Sequence, residues 1–235
     1  MAAAGSSGSL QRKLAAEALG TGMLLVAVVG SGIMGERLAS GNSAVALLAN
    51  SLATGAALIP LILVFGPISG AHFNPAVTLS DAWQGGISWR CVPAYIGAQF
   101  LGALFGVALA NTMFDLPPLF ASTHIRSGGG LLLSEGFATF GLVATIWGCA
   151  KARSTFTSFA VAAYITGAYW FTSSTSFANP AVTLARSATD TFSGIRPVDV
   201  APFIGAQLIG AALATALFHW LRAPGIQTVE ETYEQ

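Results

Sequence analysis

HFNPAVTL at residues 72–79 and FANPAVTL at residues 177–184 are one phrase written twice, and its chemistry decides the architecture. Asn is a preferred helix N-cap and Pro suits the first helical position, so Asn-Pro-Ala reads as a helix start. The helical pieces that follow, residues 74–83 and 179–188, are about ten residues each, half of the ~20 a membrane helix needs. Each therefore reads as a half-helix that dips into a membrane and stops. Non-helical backbone at that depth survives only where protein or a water-filled cavity satisfies it. The segments leading in, 66–73 and 172–178, are accordingly expected to line a pore with their carbonyls.

Working outward, the repetition extends beyond the motif. PAYIGAQFLGALFGVALA (93–110) matches PFIGAQLIGAALATALF (202–218), and Glu17 in the first apolar stretch matches Glu135 in the fourth. Six stretches are long and apolar enough to span: 14–34, 44–65, 92–113, 131–150, 156–173 and 200–221. Each half holds three. An odd number forces the second half to enter from the opposite side, which makes the halves an inverted pair. The predicted fold is an all-α membrane protein, with six transmembrane helices, two re-entrant half-helices and an inverted three-plus-three repeat. Its parts are an N-terminal tail 1–13, a first repeat 14–113, a connecting loop 114–130, a second repeat 131–222 and a C-terminal tail 223–235.

Composition agrees. Of 235 residues, 54% are hydrophobic and only 9% charged, against roughly 25% charged in ordinary soluble domains; mean hydropathy is +0.67. The formal net charge of zero gives nucleic acid nothing to bind. Arg12 and Lys13 precede the first stretch, as in a signal peptide, but its length and internal Glu17 predict a retained span. With the N-terminus inside, the inner segments carry Arg12, Lys13, Arg90, Lys151, Arg153 and Arg222, and the outer ones Arg37, Arg126, Arg186 and Arg196. That bias puts both termini in the cytoplasm. Cys91 and Cys149 each sit alone in apolar sequence and read as small core residues, not as a disulfide or zinc pattern.

Two half-helix N-termini meeting at the midplane would each carry roughly half a positive charge. Asn74 and Asn179 would offer amide donors to a passing oxygen while cations are repelled, as in the aquaporin case of pore electrostatics. Paired Asn-Pro-Ala segments in an inverted repeat resemble the aquaporin, or major intrinsic protein, family. SGAHFNPAVTL (69–79) is the most specific stretch, and the resemblance covers about residues 14–221. It implies a homotetramer with one pore per subunit, in a plasma or inner membrane. It also implies lumen-facing motifs Asn74-Pro75-Ala76 and Asn179-Pro180-Ala181, and buried Glu17 and Glu135 that hold the re-entrant loops by hydrogen bonds. Intramembrane acids also serve as proton relays, but one per half favours support. His72 reads as a loop-packing residue, its titration range leaving a sensor role open. Gln99 and Gln207 read as hydrogen-bonding between helices or to the loops, with Gly97, Gly102, Gly205 and Gly210 as close-packing positions.

The second motif departs from the family pattern. Family members usually continue Asn-Pro-Ala with arginine; here that position holds Val182. Carried over by position, the four-residue filter becomes Thr54, Gly167 (or its neighbour Thr166), Ser176 and Val182. None of the four is bulky or charged, which implies a wide constriction. Arg186 follows Val182 by one helical turn on the same face. It either enters the pore mouth or binds loop carbonyls or Asp190. NPAVTLAR (179–186) resembles a bacterial aquaglyceroporin-like branch linked to arsenic resistance. The implied function is passive passage of water, glycerol-like polyols and uncharged metalloid hydroxides such as arsenous acid. The alternatives are a water-selective channel and an ion-coupled transporter, for which Glu17 and Glu135 are the only midplane acids. A structural or adhesive role is disfavoured by short loops. No nucleophile–base pair, metal cluster or cofactor motif is present; His72, His124 and His219 are scattered.

Overall fold

The structure, a computed structural model, describes residues 7–149 and 155–222. Within these the chain forms eight helices: α1 (Ser7–Leu38), α2 (Ser43–Ser69), α3 (Pro75–Trp83), α4 (Val92–Met113), α5 (Gly129–Cys149), α6 (Thr155–Phe171), α7 (Pro180–Arg186) and α8 (Pro197–Leu221). Lys151, Arg153 and the tail 223–235 lie outside the described residues. Five helices pass the length and hydropathy needed for a span. The sixth, α6, has 17 described residues, about 26 Å of helix, at the short end of the spanning range. The nine residues of α3 and seven of α7 make only about 14 and 10 Å, so they cross together what neither crosses alone.

Boundaries follow local chemistry. The Asn42 side chain caps α2 through Ala44 N, and Gly70, at φ 92°, closes it with a left-handed C-cap. Because α2 persists to Ser69, the first non-helical lead-in begins at residue 70 rather than 66. α7 stops at Arg186 and not at residue 188.

The two halves pack alike. α1 lies against α2 and α4, α5 against α6 and α8, and α2 meets α6 across the middle. A Cβ added at Gly102 would run into Ala18 O, and one at Gly210 into Gly136 O. Ala18 and Gly136 each follow the glutamate of their half, so glycine lets α4 and α8 approach backbone to backbone just where the glutamates sit. Gly97 and Gly205 face open space and take no part in that packing. Cys91 and Cys149 are half-buried free thiols rather than fully buried core residues.

Candidate functional site

The lead-ins 70–73 and 172–178 alternate into the left-handed region: Ala71 and Phe73 in the first, Thr175, Ser176 and Ala178 in the second, all at φ of 48–63°. Residues that are not glycine hold this conformation only when surroundings enforce it. Glu17 and Glu135 do so. Glu17, fully buried, accepts from His72 N (3.0 Å), Phe73 N (2.7 Å), Ser69 Oγ (2.6 Å) and Gln99 Nε2 (2.8 Å). Glu135, also fully buried, accepts from Phe177 N and Ala178 N (2.9 Å each) and from Gln207 Nε2 (2.6 Å). Gln99 and Gln207 then donate onward to Thr78 Oγ1 and Thr183 Oγ1.

At the centre each asparagine works both ways. Asn74 Oδ1 accepts from Ala76 N, and Asn179 Oδ1 from Ala181 N, both at 2.9 Å. Asn74 Nδ2 donates to Ala178 O and Asn179 Nδ2 to Phe73 O, both at 2.8 Å. The two loops are thus cross-locked. A side-chain amide has two hydrogens, so each asparagine keeps one for the cavity that both line. Pro75, Pro180, Ala76 and Ala181 are buried at the same junction.

That cavity, about 570 Å³, runs past both half-helix starts. One end is lined by Lys13, His72, Asp81 and Tyr95, the other by Thr54, Tyr169, Ser176, Val182 and Arg186. His72 packs between Thr78 Oγ1 (Nδ1, 3.1 Å) and Asp81 Oδ2 (Nε2, 3.5 Å). Between the ends, α2 supplies Thr54, Leu58 and Ile62, and α6 supplies Thr157, Val161, Ile165 and Tyr169.

The α6 residues that line the cavity are not the ones read from spacing. Gly167 is not among the lining residues, and its Cα looks toward the Phe171 ring. Thr166 is turned onto Gly55 of α2 and bonds Ala162 O. With that face committed to α2, the α6 side chain that lines the cavity opposite Thr54 is Tyr169, whose hydroxyl lies 3.2 Å from Thr54 Oγ1. The cavity wall beside Thr54 therefore carries the Tyr169 ring, and Arg186 lines the same cavity. Arg186 Nε donates to Ser193 O, its guanidinium lies 3.3 Å from the Phe177 ring centre, and it is 2% exposed. Arg186 binds a loop carbonyl and lines the cavity, while Asp190 pairs with Ser122 and Thr123.

Connecting segments 114–128 and 187–196 cap this end. Phe120 N and Ser122 N donate to Ala188 O and Ser187 O. Arg126 ties in Gly194, Ser174 and Phe192 through their carbonyls. Burial lowers the Arg126 pKa, with Glu135 acting the other way. Asp190 is held below the usual carboxylate range, chiefly by the Thr123 N–H at 2.7 Å.

Two cross-locked half-helices along one cavity describe a conduit, and comparison gives its kind. Residues 5–173 match the major intrinsic protein family. The chain belongs to that family. It is 54% identical over 223 residues to the aquaglyceroporin AqpS of Rhizobium meliloti (strain 1021), covering 95% of both chains. It is 35% identical over 130 residues to aquaporin NIP6-1 of Arabidopsis thaliana, covering 55% of this chain and 40% of that one. An X-ray structure of the aquaglyceroporin from Plasmodium falciparum shares the fold, with TM-score 0.66 and 19% identity over 90% of this chain and 95% of the other. Membership makes this a multi-pass membrane channel rather than an enzyme. The aliphatic pore wall at Leu58, Ile62, Val161 and Ile165 was not singled out from sequence. Its one signal is the four-residue spacing from Thr54 on α2 and toward Tyr169 on α6.

Proposed function

We propose that the protein is a passive pore for water and small uncharged solutes of the glycerol type, with arsenous acid, an uncharged trihydroxy molecule, among them. The observation that carries this is the single cavity threading two facing half-helix N-termini, each with an asparagine amide hydrogen to spare. Asn74 and Asn179 bind a passing oxygen while the converging helix ends repel cations. Thr54, Ser176 and Val182 form the filter with Tyr169 in place of Gly167, Arg186 stands at its mouth, and Glu17, Glu135 and His72 hold the loops. The inverted repeats 14–113 and 131–222 sit in a plasma or inner membrane as a homotetramer, with loop 114–130 outside and tails 1–13 and 223–235 in the cytoplasm. A water-selective pore is the second reading, favoured by Tyr169 and Arg186 facing one cavity end.

Stopped-flow swelling of proteoliposomes with water, glycerol, urea and arsenous acid tests both. The first reading expects glycerol and arsenous acid flux above empty vesicles, following the solute gradient alone. Water flux without glycerol flux selects the second. Uphill accumulation driven by a proton or sodium gradient overturns both.

A further inference from the structure

The cavity end opposite Arg186 holds a titratable pair that neither half-helix start uses. His72, in the first lead-in, and Asp81, near the end of α3, both line the cavity beside Lys13 and Tyr95. The pair is not part of the repeated scaffold: the matching positions of the second half hold Phe177 and Arg186. Bond counting around Thr78 fixes which ring nitrogen of His72 carries a proton. The Thr78 hydroxyl donates its one hydrogen to Asn74 O (3.1 Å) and accepts from Gln99 Nε2 (2.9 Å). Gln99 must present that nitrogen, because the same atom donates to Glu17. Only a lone pair is left on Thr78 for His72 Nδ1 at 3.1 Å, so Nδ1 is the donor. In a neutral ring Nε2 is then a bare acceptor, and it faces another acceptor, Asp81 Oδ2, at 3.5 Å. Two acceptors repel; a proton between them makes the contact attractive. The ring is wedged in place. The Tyr95 ring centre lies 5.5 Å from its own, a Cβ on Gly70 would press on its Nε2 edge, and Glu17 holds its backbone N–H. Asp81 is the free partner: its side chain is 25% exposed and, among the described residues, accepts no hydrogen bond. The other charged or titratable groups at this end are Lys13 and Glu17 of α1, and Cys91 and Tyr95 at the start of α4. His219 of α8 reaches α3 only through Gln84, and the residues of α2, α5 and α6 that line this end carry no charge.

We propose that His72 and Asp81 form a proton-binding switch at this mouth of the pore. The proposal rests on the channel reading and adds to it regulation by pH. With the proton bound, Asp81 lies paired against the wall between His72 and Gly86. Without it, Asp81 leaves the ring and carries a hydrated carboxylate into the mouth that it lines. The pore is therefore freer in acid than in alkali, across the range where imidazole titrates, roughly pH 5 to 8. The switch is one-ended. Thr183 makes the same two bonds as Thr78, but Phe177 stands where His72 would be.

Two measurements decide it. Stopped-flow water flux is followed in proteoliposomes with equal pH on both sides, from roughly 5 to 8. Wild type should lose flux several-fold in one step as pH rises. Asp81→Asn should hold flux at the acid value throughout, since an amide donates to the neutral ring and accepts from the charged one. His72→Gln should abolish the step, while His124→Gln and His219→Gln keep it. Ring-nitrogen NMR of the protein in detergent reads the proton directly, with His72→Gln assigning the signal. Neutral His72 should be the Nδ1–H tautomer, and its second proton should arrive over the same interval as the flux step. Wild-type flux that is flat with pH, or a step of equal size in Asp81→Asn, overturns the switch, as does a neutral His72 protonated on Nε2. If wild type passes no water at any pH, the channel reading fails, and the tautomer alone decides whether the pair holds a proton.

Discussion

Replacing Glu17 by Ala should loosen the first re-entrant loop and with it the pore. The carboxylate accepts four hydrogen bonds, and their fates differ once it is gone. Ser69 Oγ already lies 3.5 Å from Phe65 O and can turn there. Gln99 keeps Thr78. Among the described residues the backbone N–H groups of His72 and Phe73 have no other acceptor, and that of Phe73 is buried. At roughly 1–3 kcal/mol for each orphaned buried donor, the loss is about 2–6 kcal/mol. For a chain of this size that lowers Tm by roughly 5–20 °C. Glu17→Gln preserves volume and one acceptor oxygen but turns an NH2 toward the second N–H, so its cost is about half. Thermal unfolding of purified protein in detergent, paired with water flux in proteoliposomes, reads both effects. The order should be wild type, then Gln, then Ala. A Glu17→Ala protein melting within ~2 °C of wild type, with undiminished water flux, would refute the claim that the carboxylate holds the loop.

Three further outcomes are expected. Asn74→Asp combined with Asn179→Asp puts two negative charges at the half-helix starts and should admit a cation leak in planar bilayers; background conductance from a folded variant contradicts the midplane barrier. Val182→Arg adds a second guanidinium one turn from Arg186, so glycerol flux should fall more than water flux, and Thr54→Phe should sharpen the difference; an unchanged ratio means residue 182 does not border the constriction. Asp190 has a lowered carboxylate pKa, so its tie to Thr123 contributes fully above the ordinary carboxylate value of about 3.9 and fades as pH falls through the lowered one. Proteolysis of segment 187–196 should therefore stay constant from neutral pH down to about 5 and rise only in stronger acid, a rise absent from Asp190→Asn.

The six spans and two half-helices are legible because length, hydropathy and the Asn-Pro start act locally, without reference to neighbours. The pore wall is not, and α6 shows why. Any of the consecutive residues Ile165, Thr166 and Gly167 is a plausible lining position by spacing, since adjacent residues differ by about 100° around a helix. The choice is made by rotation, and rotation is set by Thr166 seating against Gly55, a contact between segments 111 residues apart. Arg186 is similar. Its reach to Ser193 depends on the fold of segment 187–196, which no helical period encodes. The end of α2 is a smaller case: Pro67 ordinarily marks a stop, yet α2 continues to Ser69, where Glu17 secures the last hydroxyl.

The cross-lock of the two asparagines also imposes an order on synthesis. Asn74 waits for Ala178, 104 residues later, and Phe73 for Asn179, 106 residues later. At the usual ~5–20 residues per second of translation, the first loop stands with its central amide and carbonyl unmatched for roughly 5–20 s. During that interval the nascent first half holds an unfinished polar seam at membrane depth, closed only by the arrival of the second. The gene's two halves can therefore be inserted in sequence but matured only together, and a chain truncated before residue 178 would leave the ribosome without the bonds that complete its own first loop.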